Sequence, residues 1–233
     1  MILAFDVDGT LTDARQPIDP KMLDAMLSLC ETHEVWIVTG SDKPKCQEQL
    51  GPLWDAVARV YCCAGAELWI QDELIRVKSW NPPVQLIIDL FSALHESGYT
   101  ELYGKHVEVR TGMVNLSIPG RQASVSQRDA FADWDQKTNT RKHIASQIKR
   151  LYPSLSVTLG GKTSIDVTPA DWGKHVVLED ANQPVWFWGD ECKPGGNDAS
   201  LAEAIRSTSR GRVFETCNWQ DTYHQISEVF GTK

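Results

Sequence analysis

The sequence lacks the features that would place a protein in a membrane or on a nucleic acid. No stretch approaches the roughly 18 consecutive apolar residues that a membrane-spanning helix needs. The apolar start, residues 1–5, is too short for a secretory signal and carries no positive charge ahead of it. Acidic residues outnumber basic ones by 31 to 23, for a formal net charge of -8, so no basic surface attracts polyanions. We therefore expect a soluble cytoplasmic protein with neither a membrane nor a nucleic-acid partner.

Metal-binding patterns of cysteine and histidine are absent as well. The six cysteines include no CxxC pair, and the neighbours Cys62 and Cys63 would point to opposite sides of a strand. The six histidines are scattered without a metal-ligand spacing. We expect buried free thiols and no zinc site.

The sequence does contain enough apolar material for a core. Of its 233 residues, 42% are hydrophobic and 23% are charged, which is far from the composition of disordered chains. No internal repeat or low-complexity segment interrupts it. One folded domain, or one domain with an insertion, is the expected organisation.

Buried strands alternate with helices at both ends of the chain. Apolar runs at residues 2–5, 35–38 and 185–188 are typical of parallel strands covered on both faces. Asp19-Pro20 supplies a helix cap and a first-turn proline, and a second helix is predicted over residues 44–50. This alternation predicts a doubly wound, Rossmann-like parallel sheet.

The middle of the chain follows a different pattern. After Asn81-Pro82-Pro83 come a leucine-rich helix, a hairpin of residues 106–110 with 113–117, a helical stretch, and strands at 155–159 and 164–168. Paired strands with helices to one side predict an α+β cap inserted into the core. The fold class is therefore α/β, with a core of residues 1–80 and 180–233 and a cap of residues 81–179.

Polar residues follow the predicted core strands. Asp6 and Asp8 follow the first strand, Thr39 and Ser41 the second, and Asp190 a later one. Ligands of open α/β sheets bind beyond the carboxyl ends of the strands, so these residues should share one edge. Three carboxylates, Asp6, Asp8 and Asp190, are the oxygen ligands expected for Mg²⁺, which binds few protein groups together with a substrate phosphate.

At the first strand the resemblance to a known family is specific. The segment Asp6-Val7-Asp8-Gly9-Thr10-Leu11-Thr12 resembles the first motif of the haloacid dehalogenase superfamily. That resemblance implies that Asp6 attacks phosphorus and becomes transiently phosphorylated, and that Asp8 is the general acid and base. The later motifs appear in order: Ser41 with Thr39 as phosphate ligands, Lys174 as the balancing charge, and Gly189-Asp190 with Asn197-Asp198 as the metal end.

A narrower resemblance covers nearly the whole chain. The stretches at residues 6–16, 40–42, 47–51, 110–115, 118–121, 160–167 and 194–198 are similar to the eukaryotic-type phosphomannomutases. The resemblance implies a homodimer formed through the cap, a hexose 1,6-bisphosphate activator, and a place in GDP-mannose biosynthesis. It also implies the substrate-binding residues Arg15, Ser41, Arg110, Arg121, Arg128, Ser164, Asp166 and Lys174. An arginine fork holds a phosphate bidentately, as a mutase must do for the phosphate that is not reacting.

Three residues depart from that pattern. Thr39 stands where the family usually has glycine, and Glu191 and Cys192 stand where lysine and threonine are usual. Glu191 reverses a charge beside the expected metal site. We expect weaker phosphate binding or a changed activator preference from this reversal.

The leading hypothesis is the interconversion of mannose 1-phosphate and mannose 6-phosphate through an aspartyl-phosphate, with glucose phosphates as further candidates. Cap closure would exclude water. A sugar-phosphate phosphatase would share the same first motif, and only the arginine set of the cap separates the two. A non-catalytic sugar-phosphate sensor is the third hypothesis, disfavoured because a binding protein has no use for a nucleophile.

Overall fold

The computed structural model describes residues 1–208 and 211–231, which divide into two units. The strands are β1 (Ile2–Phe5), β2 (Glu34–Val38), β3 (Arg59–Cys62), β4 (Glu67–Ile70), β5 (Glu73–Val77), β6 (Val107–Arg110), β7 (Met113–Ser117), β8 (Leu155–Gly160), β9 (Ser164–Pro169), β10 (Val185–Gly189) and β11 (Gly211–Glu215). The α-helices are α1 (Pro20–Thr32), α2 (Lys43–Leu50), α3 (Leu53–Ala56), α4 (Val84–Glu96), α5 (Val125–Thr138), α6 (Thr140–Leu151), α7 (Ala199–Thr208) and α8 (Trp219–Phe230).

The first unit, the core unit, contains residues 1–78 and 173–233, and the second, the inserted unit, contains residues 79–172. The sequence pattern predicts these boundaries at 80/81 and 179/180. The second boundary lies earlier because the 3₁₀ helix Lys174–Asp180 belongs to the core unit. Its Val177 is fully buried in the same apolar cluster as Ile2 of β1.

The core unit contains one seven-stranded sheet, with strand order β11-β10-β1-β2-β3-β4-β5. The first five strands in this order pair in parallel, and β4 and β5 join the edge as an antiparallel hairpin. Strand β1 is buried along its whole length, as a parallel strand between two helical layers must be. The prediction of an α/β fold with a parallel-sheet core is confirmed.

Aromatic stacking fixes the sheet around β10. The Trp188 ring lies 4.8 Å from the Phe5 ring and 4.2 Å from the Phe214 ring, nearly parallel to both. Trp188 is fully buried, and offset-stacked rings contribute about 0.5–1.5 kcal/mol beyond their burial. The three strands that carry these rings are thus held in register next to the residues that follow β1 and β10.

The inserted unit contains a four-stranded antiparallel sheet, with order β6-β7-β9-β8. Val114 and Val167 pair on the apolar face, which belongs to a core cluster with residues of α4, α5 and α6. The next pair in the register is Asn115 and Asp166. Their side chains lie on the other face of the sheet, because successive side chains of a strand point to opposite faces. The helical stretch expected before β8 is two helices, separated by Asn139 in the left-handed conformation at φ 54°.

The thiols only partly match expectation. Cys46, Cys62 and Cys192 are buried free thiols, whereas Cys217 is exposed. In the described part of the chain, no helix is both long and apolar enough to cross a membrane.

Candidate active site

The residues expected at the edge of the core sheet directly follow their strands in the structure. Asp6 follows β1, and its N–H continues the ladder by donating to the Trp188 carbonyl at 3.0 Å. Ser41 and Thr39 follow β2, and Asp190 follows β10. Because β10, β1 and β2 are parallel neighbours, these residues gather at the carboxyl ends of three adjacent strands.

A tight turn after β1 brings the chain close to Asp190. Gly9 adopts φ +90°, and a Cβ atom added to it would lie 2.3 Å from Asp190 Oδ2. Only glycine accepts both the positive φ and this approach. The glycine of the first motif therefore serves the packing of the turn against a site carboxylate.

A buried lysine links two of the carboxylates. Lys174, at the start of the 3₁₀ helix, has no exposed area; its Nζ pairs with Asp6 Oδ1 and donates to Asp198 Oδ1 at 2.6 Å. Asp198 is fully buried as well, and Asp6 is 3% exposed. A charge removed from water in this way must be paired, and Lys174 supplies that pairing for both acids.

Three carboxylates converge around this lysine. Oxygen atoms of Asp6, Asp190 and Asp198 lie within 4.8 Å of one another. Burial raises the pKa of Asp6 to about 7, with Lys174 opposing and Asp198 adding to the rise. Burial and the neighbouring Asp6 and Asp198 raise the pKa of Asp190 to about 9. Such crowding of oxygen ligands is what a divalent cation relieves, so these residues fit Mg²⁺.

This cluster differs from the ligand set expected from the sequence. Asp6 and Asp190 belong to it, but the Asp8 side chain does not, and Asp198 takes the third position. The sequence places Asp198 in the metal motif but does not predict it as a ligand. Its position depends on the turn 189–198, where the Glu191 N–H donates to Asp198 Oδ2 at 3.1 Å, and composition gives no indication of that bond.

The Asp8 carboxylate is held separately. Its Oδ1 accepts from the Arg15 N–H at 2.7 Å and from Gln49 Nε2 at 2.8 Å, and its Oδ2 pairs with Lys45 Nζ. Burial alone would raise the pKa of Asp8, but Lys45, the Arg15 amide and Gln49 together hold it below its ordinary value. Asp6 and Asp8 thus have opposite pKa shifts within one turn, because Asp6 is buried near other carboxylates whereas Asp8 is surrounded by hydrogen-bond donors.

Sequence reasoning missed Lys45 and Gln49. Both lie on α2 at the i, i+4 spacing that places side chains on one helix face. This spacing could have indicated that the two side chains contact the same group. Lys45 Nζ also lies 3.0 Å from Ser41 Oγ. The helix is fixed by Asp42, whose side chain accepts from the Lys45 N–H at its first turn.

The residues that depart from the family pattern adopt ordinary conformations. Thr39 is buried, and its Oγ1 accepts from the Ser41 N–H at 3.1 Å, so the extra side chain shapes the loop. Cys192 is buried and its Sγ lies 3.4 Å from the Gly189 carbonyl. Glu191 adds negative charge that raises the pKa of Asp190, after larger contributions from burial, Asp6 and Asp198.

In the inserted unit, two of the expected arginines converge on one acid. Arg110 lies 2.6 Å and Arg121 lies 2.9 Å from Glu108 Oε2. Burial raises the pKa of Glu108, but the two guanidinium groups outweigh it and leave the pKa below its ordinary value. Glu108 thus holds the two guanidinium groups next to each other.

The remaining substrate-binding residues predicted from the sequence make different contacts. Arg128 donates to the carbonyls of Ala123 and Arg121, each at 2.9 Å, and so braces the loop that carries Arg121. Asp166 accepts from Asn115 Nδ2 at 2.6 Å. Ser164 is buried beside it on β9. Arg15 belongs to the core unit.

Solved structures of other proteins share this fold. The C-terminal domain of trehalose-6-phosphate phosphatase from C. albicans superposes with a TM-score of 0.66 at 14% identity, covering 100% of this chain and 92% of that one. A haloacid dehalogenase-like hydrolase from Bacteroides thetaiotaomicron gives a TM-score of 0.59 at 14% identity, covering 98% and 99%. At such low identity the likeness concerns the fold alone.

Sequence comparison is more specific. A phosphomannomutase of Oryza sativa subsp. indica is 33% identical over 245 residues, covering 100% of this chain and 97% of the relative. Phosphomannomutase 1 of Dictyostelium discoideum is 33% identical over 250 residues, covering 98% and 96%. The profile described as "Eukaryotic phosphomannomutase" matches residues 22–232. Its match begins after the turn that carries Asp6 and Asp8, so the two observations are separate, and the chain belongs to the eukaryotic phosphomannomutase family.

Proposed function

We propose that this protein interconverts mannose 1-phosphate and mannose 6-phosphate by transferring a phosphoryl group through Asp6. The observation that carries the proposal is the division between a buried Asp6 held by Lys174 and a separately held Asp8. Two carboxylates held in different ways within one turn suit the roles of nucleophile and of general acid and base. Family membership supplies the substrate class.

In the first half-reaction, Asp6 attacks a phosphorus of a hexose 1,6-bisphosphate. The bond from phosphorus to Asp6 forms while the bond to the sugar oxygen breaks, and Asp8 gives that oxygen a proton. In the second half, a hydroxyl of the sugar monophosphate attacks the phosphoaspartate, Asp8 takes its proton, and Asp6 is released. The bisphosphate is therefore regenerated in each turnover and acts as the activator.

Lys174 stays paired through both halves. Its positive charge offsets the negative charge of the Asp6 carboxylate before attack and of the phosphoryl oxygens afterwards. Because Lys174 is already buried, neither water nor the lysine has to rearrange during the reaction. Asp6, Asp190 and Asp198 would hold Mg²⁺, which when bound neutralises charge between the anionic nucleophile and the anionic substrate. Ser41 and Thr39 donate to the reacting phosphate.

The phosphate that is not reacting is held by arginine. Arg110 and Arg121, already paired through Glu108, form the fork. Arg128 keeps the loop of Arg121 in place, and Ser164 and Asp166 contact the sugar. In the core unit, Arg15 is a further substrate-binding residue. Preference for a phosphorylated sugar over a small phosphate ester follows from this set.

The inserted unit also carries a surface that suits a second copy of the chain. Val84, Ile88 and Phe91 of α4 are 76%, 50% and 50% exposed at i, i+4 and i+7 spacing. A twofold dimer uses the same surface patch on both subunits, and this apolar stripe offers such a patch. We propose a homodimer formed through this unit, working in the cytoplasm in GDP-mannose biosynthesis.

Phosphorus NMR tests the activity directly. The purified protein is given mannose 1-phosphate, Mg²⁺ and a trace of glucose 1,6-bisphosphate, and mannose 6-phosphate should appear only with the bisphosphate present. Asp6→Asn should abolish the conversion, whereas Asp13→Asn, at an exposed position beyond the same turn, should leave it intact. Release of inorganic phosphate in place of mannose 6-phosphate would contradict the mutase and identify a phosphatase.

A further inference from the structure

The stretch Gln47-Glu48-Gln49-Leu50-Gly51 is a family-like segment to which the reaction above gives no role. It forms the end of α2, whose Cys46 and Leu50 are fully buried and anchor the helix in the core unit. Gln49 is 2% exposed although glutamine is a surface residue by preference. A buried amide in this position requires a structural or functional partner.

That partner is the general acid and base. Gln49 Nε2 donates to Asp8 Oδ1 at 2.8 Å and to Thr12 Oγ1 at 3.0 Å. The Arg15 N–H donates to the same Asp8 oxygen at 2.7 Å. Oδ1 therefore accepts hydrogen bonds from two neutral donors, which hold the carboxylate in one orientation.

The second oxygen of Asp8 is in a different environment. Oδ2 pairs with Lys45, one helical turn before Gln49, and the Lys45 ammonium also reaches Ser41 Oγ at 3.0 Å. The Lys45 side chain is 19% exposed and stands on a flexible four-carbon stem. Oδ2 is thus held by a group that can move toward a bound phosphate, while Oδ1 stays anchored.

We propose that Gln49 and Lys45 are positioning residues for Asp8: Gln49 anchors Oδ1, so that Oδ2 is the oxygen presented to the sugar, and Lys45 connects that oxygen to the phosphate-binding Ser41. The proposal rests on the proposed function in that Asp8 exchanges a proton with a sugar oxygen. It assigns the Gln49 segment a role in the chemical step rather than in substrate binding.

Leaving-group dependence separates such a role from simple support of the fold. A sugar alkoxide leaves only if it is protonated as its bond to phosphorus breaks, whereas nitrophenolate leaves without a proton. Gln49→Met should therefore lower kcat for mannose 1-phosphate by about 100-fold, the size of a general acid-base contribution, with KM within about twofold. The first-turnover burst of nitrophenolate from p-nitrophenyl phosphate, which reports phosphorylation of Asp6, should change less than about threefold.

The same helix offers a matched control. Gln47 is partly exposed and donates to Asp72 at 3.0 Å, away from Asp8, so Gln47→Met should leave both reactions at wild-type rates. Lys45→Met should lower kcat for the sugar phosphate, and Lys45→Arg should restore much of it. Should Gln49→Met not fold by circular dichroism, Gln49→Asn, which keeps the amide but withdraws it by one methylene, takes its place.

Equal losses on the sugar and nitrophenyl substrates, or no loss on either, would overturn the positioning role. Failure of the mutase proposal would look different, because the wild-type protein would then not form mannose 6-phosphate at all. In that case the comparison is made between nitrophenyl phosphate and whichever sugar phosphate the wild-type protein hydrolyses. A selective loss on the sugar ester would still support positioning.

Discussion

Lys174 Nζ lies 2.6 Å from Asp198 Oδ1, and neither side chain has any exposed area. The same ammonium pairs with Asp6, so one buried cation balances two buried acids. The pKa of Lys174 lies above its ordinary value, because the two carboxylates outweigh the burial that would lower it. Lysine at this position is therefore charged throughout the working pH range.

Removing that cation should destabilise the fold in a pH-dependent way. Lys174→Met leaves Asp6 and Asp198 buried without their partner, which costs about 3–5 kcal/mol at neutral pH. Unfolded carboxyl groups titrate near pH 4, whereas burial raises the pKa of Asp6 and loss of the neighbouring positive charge raises it further in the variant. The loss in free energy of unfolding caused by Lys174→Met should hence be smallest below about pH 5 and grow as the pH rises. Urea unfolding of both proteins at pH 5 and pH 8 measures this, and an equal deficit at the two values would contradict the pairing.

Mg²⁺ binding should release protons. The pKa values of about 7 for Asp6 and about 9 for Asp190 mean that at pH 8 Asp190 is mostly protonated without metal. A bound cation favours the ionised form, so binding should release nearly one proton and tighten as the pH rises toward 9. Isothermal titration in two buffers of different ionisation enthalpy counts the protons. Asp190→Asn should abolish most of the release, and a wild-type count near zero would refute the raised pKa.

Mg²⁺ should stabilise the protein more at high pH than at low pH. Raised folded-state pKa values favour the protonated acids, so their contribution is fully present below about pH 4 and is lost as the pH rises through 7 to 9. Mg²⁺ reverses this penalty because it binds only the folded cluster. The increase in Tm caused by Mg²⁺ should therefore be larger at pH 8.5 than at pH 6. A pH-independent increase in differential scanning fluorimetry would speak against these carboxylates as the ligands.

The strands of the core sheet could be predicted because each is visible as a short run of neighbouring residues. Continuous apolar runs of 4–5 residues followed by Asp6 or Asp190 indicate both a parallel strand and its functional end. The links between Lys45 and Asp8 and between Asn115 and Asp166 join residues 37 and 51 positions apart. Such links depend on how a helix docks and on strand register, which no local pattern determines. The fold and the placement of Asp6 and Asp190 at strand ends were hence predictable from the sequence, and the contacts that hold these side chains were not.

The arginine pair should separate mutase turnover from simple phosphorylation of the enzyme. Arg110→Met and Arg121→Met each remove one arm of the fork on Glu108. Each should lower mannose 6-phosphate formation by at least about 100-fold, since a charge-assisted bidentate contact contributes several kcal/mol in a dry site. The nitrophenolate burst should stay within about fivefold. Arg150→Met, at an exposed position of α6, is the matched control. Equal losses in both reactions would exclude a substrate-gripping role.

A side chain at Gly9 should weaken Mg²⁺ binding by displacing Asp190. Gly9→Ala forces a Cβ atom to within 2.3 Å of Asp190 Oδ2 unless that carboxylate moves, so the Mg²⁺ concentration for half-maximal activity should rise about 10-fold or more. Gly98→Ala shares the positive φ, at +76°, with no atom within 4 Å of the added Cβ. It should cost only the backbone strain of about 1–2 kcal/mol and leave the Mg²⁺ requirement unchanged. A Mg²⁺ shift in both variants would show that general loosening, and not displacement of Asp190, weakens the site.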